Sequence, residues 1–237
     1  LSIKVRDKQE KLNTPVTEEK MDTDGDWSDQ QPNADEIKPL VFGEVHNIEP
    51  ILIDPATLKY RFSTDVCEEV IEIRDNGVPI YTYPSLTTGA TINLSDGTFV
   101  LTHPAVGQLT VSVQGRKKSV DLSTGTLADT YVNNVANIIA VICLEYGKVG
   151  VTNLVASDLD LTSFSSLSAS VSSHPVGIYL GTQKQNIIEV CKQLADSVGA
   201  QMFFNRLGKL QLIRLGTYIS GSSVDITEDD MIFGSLG

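Results

Sequence analysis

Residues 176–215 constrain the chain most, because their pattern admits only one local architecture: strand, helix, strand, tight turn, strand. Thr182 followed by Gln185 predicts a capping box at a helix start. Ile187, Cys191, Leu194, Ala195 and Val198 then recur at helical spacing and make an apolar stripe about 100° wide. Gly199 stands where a helix ends in a left-handed residue. Residues 200–204 form a short apolar run. Asn205 to Gly208 is a turn, and residues 209–215 return as a second strand. Such a helix must bury its stripe on the hairpin and on the preceding strand. The unit carries no chemistry by itself.

Upstream, residues 38–120 are punctuated as β structure. Apolar, β-branched segments at 40–42 and 44–53 are separated by Gly43 and closed by Asp54-Pro55. Residues 58–62 and 70–74 alternate. Asn76-Gly77 is a strong hairpin signal, with 78–83 as its return strand. Further strands fall at 91–94, 98–101 and 109–113. Strands at this spacing predict an antiparallel sandwich or barrel. Residues 121–237 read as α+β, with helices at about 130–146 (Val132, Val135, Ile139, Ile142 and Cys143 on one face, Asp129 or Thr130 as cap), 159–170 (Asp158 or Asp160 as cap) and 183–198, and a hairpin at 200–215. One apolar strand is expected within 218–233. Residues 1–37 supply a strand near Ile3 and Val5, a charged turn at 7–11 and an acidic loop. The expected fold class is therefore α+β: an antiparallel β sandwich or barrel-like domain (38–120), then a helix-and-hairpin domain (121–237).

Composition narrows the functions. Hydrophobic residues are 41% of the 237 and charged residues 20%, enough for a real core. The net charge of -12 repels phosphate backbones, and Arg116-Lys117-Lys118 is the longest basic run, so direct nucleic-acid binding is not expected. No apolar stretch reaches the roughly 18 residues of a membrane span. The chain opens Leu-Ser-Ile and closes Gly-Ser-Leu-Gly, as expected of a piece of a longer protein. Cys67, Cys143 and Cys191, odd in number and without CxxC spacing, read as buried thiols and not as a disulfide framework or zinc site.

Motifs for chemistry are weak. Asp22, Asp24 and Asp26 match the start of a calcium loop. Trp27 stands where Gly is required and Asn33 where Glu is required, so a solvated acidic loop is the expectation. His46, His103 and His174 lack metal-ligand spacing and flank no nucleophile motif. Glu44, Glu49, Asp54, Glu68, Glu69 and Glu72 contain pairs of the kind a glycosidase uses, as any acidic chain would. Tyr60, Phe62, Tyr81 and Tyr83 fall at period two, either a sugar-binding face or ordinary sheet packing. Asn93-Leu94-Ser95 is a glycosylation sequon, meaningful only in a secretory protein. No catalytic, cofactor or metal residue is assigned and no cofactor is expected.

Residues 38–55, 70–80, 97–101 and 107–115 together resemble the tail tip, or baseplate hub, proteins of long-tailed phages and prophages. The opening residues 3–13 and the unit 182–215 are similar to that family as well. The resemblance implies a non-enzymatic structural virion protein at the distal tail tip, assembled in the bacterial cytoplasm. It implies a homotrimer that caps the tail tube and meets the tube, the distal tail protein and fibres. Two other readings stay open: a β module that binds a host-surface glycan or receptor, and a cell-wall hydrolase.

Overall fold

The computed structural model describes residues 8–21, 33, 35–147 and 153–214. It is an α+β fold with every strand pairing antiparallel. A five-stranded sheet has the order β11-β1-β8-β4-β5, with β1 Leu40–Ile48, β4 Cys67–Asp75, β5 Val78–Thr82, β8 Leu109–Arg116 and β11 Gly177–Leu180. A four-stranded sheet, β2-β3-β7-β6, is built from Ile51–Asp54, Lys59–Arg61, Thr98–Leu101 and Ala90–Asn93. Val70, Ile73, Val111 and Val113 of the first sheet and Phe99, Leu101 and Ala90 of the second share one buried cluster, so the two sheets form a sandwich.

A second buried cluster lies around helix α1, Val135–Glu145. Eight of its eleven residues are buried, so it is a core helix and not the one-faced helix its spacing suggested. Helix α2, Leu161–Ser170, and helix α3, Ile187–Ser197, pack against it. The hairpin β12–β13, Ala200–Phe204 with Leu210–Arg214, completes this half.

Strand β1 belongs to both cores. Leu40 and Phe42 face the helical cluster, while Val41 between them faces the sandwich. The alternation of a strand thus serves two interiors at once. The pairing of β1 with β11 is unusually close at Gly43 and Gly177, which are direct partners. Gly43 has φ +65°, and a Cβ there would lie 2.0 Å from the carbonyl oxygen of Val176. No other residue type tolerates both conditions.

Several boundaries differ from the sequence expectation. β1 runs through Gly43 and breaks instead at Glu49 and Pro50. Helix α1 starts at Val135, where the Asn134 side chain accepts from the Ala136 N–H at 3.1 Å; Asp129 and Thr130 do not cap it. Asp160 caps α2, one of the two expected candidates. Helix α3 begins after Asn186, not Thr182, and the Glu189 carboxylate accepts from the Asn186 N–H at 3.3 Å. The cause is tertiary. Val16 N–H donates to Gln185 O at 2.9 Å and Ile187 N–H donates to Thr14 O at 2.8 Å, which holds Asn186 extended in an antiparallel bridge with Pro15. β11 turns away from the hairpin to join β1, so the stretches 38–120 and 121–237 share a sheet. A small hairpin, β9 Ser119–Asp121 with β10 Thr126–Ala128, was not expected; it is held by Asp121, which accepts from Ser123 and from the N–H of Gly125. The charged turn is a 3-10 turn at Lys8–Leu12. The strand expected near Ile3 and Val5, the strand within 218–233, residue 215 of the hairpin and the calcium-like motif at 22–27 lie outside the described residues.

Candidate functional site

Among the described residues, two large concavities lie at the surface. The larger, about 740 Å³, opens at the mouth of the sandwich where its two sheets meet the end of β11. Its walls come from the β1–β2 turn, the 105–109 loop and the segment that follows Tyr179. The loop is fixed from below: the Asp75 carboxylate accepts from the N–H groups of Val106 and Gly107, each at 2.7 Å. Tyr60 lines the groove. It is the cross-strand partner of Phe99, and the two rings stack with centroids 5.4 Å apart and planes 13° from parallel. Tyr179 also lines it, and its hydroxyl approaches Glu49 O at 3.5 Å. Burial, with the carboxylates of Glu49 and Glu36 nearby, pushes the Tyr179 hydroxyl up to about 12. Glu36 and Glu49 line the groove with the amides of Gln108 and Gln183, and among the described residues no Lys or Arg does.

The smaller concavity, about 660 Å³, lies over a charged cluster that joins the two halves. Arg116, at the end of β8, is bracketed by Asp65 from the sandwich and Glu145 from the end of α1. Its guanidinium sits 4.7 Å from the Tyr146 ring centroid. The Tyr146 hydroxyl accepts from Arg116 and donates to Asp65. Burial and the adjacent Asp65 carboxylate hold that hydroxyl well above the ordinary tyrosine value. The rest of the basic run is engaged too. Lys117 meets Glu68 at 2.9 Å and Lys118 meets Asp129 at 2.7 Å. These contacts make the run a set of ion pairs within the fold. The arrangement ties α1 to the sandwich.

The residues singled out in the sequence are scattered. His46, His103 and His174 are all exposed; His46 lies 3.1 Å from the Glu44 carboxylate and His174 bonds Ser173. Among the described residues, no three His, Cys, Asp or Glu side chains converge as metal ligands. Asp54 closes a turn by accepting from Ala56 N–H and Thr57 hydroxyl, and these bonds lower its pKa. Glu72 pairs with Arg74 and Glu44 with Gln114. Of the six carboxylates considered, only Glu49 reaches the groove. All three cysteines are buried thiols. Burial pushes Cys67 up to about 12, and the Cys143 and Cys191 sulfurs lie 3.9 Å apart between α1 and α3. The aromatic stripe does not form one face. Phe62 and Tyr81 are core, Tyr83 is exposed, and Tyr60 alone lines the groove.

Tyr179, Gln108, Glu36, Asp65, Arg116 and Tyr146 were not foreseen. They are brought together by tertiary contacts across long sequence separations, and Asp65 lies 81 residues from Tyr146. The one local hint was Arg116 at the head of the basic run. No family model matches the chain, and no curated protein or solved structure matches it.

Proposed function

We propose that this chain is a structural component of a phage tail tip, or baseplate hub, that acts by assembly and not by catalysis. In this reading it forms a homotrimer at the distal end of the tail tube, helps cap it and connects it to the host-recognition parts. The observation that carries the reading is where the family-like segments fall. Residues 38–55, 70–80, 97–101 and 107–115 make β1, β2, most of β4 and β5, β7 and most of β8, the body of the sandwich and the strand common to both cores. A resemblance that includes the sandwich body and the strand common to both cores suits a rigid structural part. The net charge of -12 suits a surface beside which DNA must pass without sticking.

Light scattering over a concentration series, with negative-stain images of the same sample, tests this. A species of three times the 25.7 kDa chain mass, imaged as three-fold rings with an axial hole, is the expected result. A monomer at every concentration, with no ring in any field, counts against it.

A further inference from the structure

We propose that the groove at the mouth of the sandwich is a binding site for a neutral oligosaccharide. Its size is the first argument: about 740 Å³ falls within the ~300–1,000 Å³ of small-ligand sites and has room for a short chain of sugar rings. Its chemistry is the second. Tyr60 is a rigid platform, because Phe99 stacks on it and is itself buried. A ring held in this way can receive the C–H face of a pyranose without losing further rotamer freedom. Around it stand acceptors and donors suited to hydroxyl groups: the carboxylates of Glu36 and Glu49, the amides of Gln108 and Gln183, and the Tyr179 hydroxyl.

The lining also discriminates. Two carboxylates, with no Lys or Arg among the described residues of the wall, repel phosphate, sulfate and uronate groups, so anionic glycans and nucleotides are disfavoured. A purely apolar ligand would strand the carboxylates and amides against hydrocarbon. A peptide adding as a strand would need the open edge of β2, but Leu52 O already accepts from the Asn33 side-chain amide at 3.3 Å. The 105–109 wall is pinned by Asp75, so that side of the groove is set before any ligand arrives.

The inference stands apart from the tail-hub reading and can fail without it. The whole chain is applied to a printed array of neutral, amino-bearing and acidic oligosaccharides, and each hit is measured again by titration calorimetry. Binding of neutral di- to tetrasaccharides is expected, with acidic ones silent. Tyr60→Ala should weaken binding at least ten-fold. Because Tyr60 also packs on Phe99, Gln108→Ala is the parallel variant; its side chain is exposed, and it should weaken binding several-fold with an unchanged melting temperature. Tyr83→Ala, outside the groove, should bind like the parent. No neutral hit, preference for acidic glycans, capture of a Lys-rich peptide in their place, or unchanged binding in both groove variants would overturn the proposal. A trimer without glycan binding removes this inference alone, and a glycan-binding monomer removes the hub reading alone.

Discussion

Replacing Arg116 with Ala should remove the clasp between the sandwich and α1. The substitution leaves the Asp65 carboxylate without its guanidinium and leaves Glu145 with Lys118, whose ammonium is 3.5 Å away. Their side chains are 29% and 19% exposed and that of Arg116 is 18% exposed. Cutting one partner from a fully buried ion pair costs about 3–5 kcal/mol. Fully exposed pairs are worth only about 0.2–1 kcal/mol. Partial exposure places each pair between these limits, and solvent screening discounts both. Loss of the guanidinium over Tyr146 adds about 0.5–1 kcal/mol. The expected total is about 3 kcal/mol, roughly a hundred-fold in the folding equilibrium. Arg116→Lys keeps the charge but cannot fork between two acids, and should lose about 1 kcal/mol. Urea unfolding followed by circular dichroism reads both values. A double-mutant cycle with Glu145→Gln should show coupling of about 1 kcal/mol or more. An Arg116→Ala loss under about 0.5 kcal/mol, or a coupling of zero, would refute the argument.

Two further perturbations address other parts of the fold. Gly43→Ala places a Cβ 2.0 Å from Val176 O at a left-handed φ, so it should cost about 3 kcal/mol and lower the melting temperature by at least about 6 °C in a calorimetric scan. Asp158 is pushed up by burial, but the Lys8 ammonium at 2.6 Å and the Val155 N–H outweigh burial and hold its pKa below the ordinary aspartate value. A carboxyl lowered on folding stabilises above its unfolded pKa of about 4, and that stability is lost as pH falls through the folded value. Asp158→Asn should therefore cost about 1 kcal/mol at pH 7, and its difference from the parent should shrink below about pH 4 in parallel urea titrations.

The strands of the sandwich were legible because their signals are local. Asn76-Gly77 sets the β4–β5 turn, and period-two apolar residues Leu109, Val111 and Val113 set the inward face of β8; in β4 a bulge between Val70 and Glu72 puts the buried Cys67, Val70 and Ile73 at spacing three. The hairpin β12–β13 was equally plain, since Asn205 and Gly208 build its turn from adjacent residues. What could not be read depended on distant pairing. The start of α3 moved from Thr182 to Asn186 because residues 14–16 occupy the preceding backbone. The burial of α1 on nearly all sides follows from α2 and α3 closing on it. The groove draws Tyr60 and Tyr179 from strands in different sheets, and no spacing rule links them. The period-two aromatics left both a sugar-binding face and ordinary sheet packing open; Phe62 and Tyr81 pack in the core, and β3 and β5 belong to different sheets.

The two-sided use of β1 has a consequence for how the strand can err. Slipping it by one residue against β11 and β8 would thrust Val41 among the helices and Phe42 into the sandwich. A one-core strand would be corrected by a single interior; here two interiors reject the same mistake, one by a void and the other by a clash. β1 therefore acts as a keyed pin: it fits in one position only, and both halves must be at hand for the key to turn.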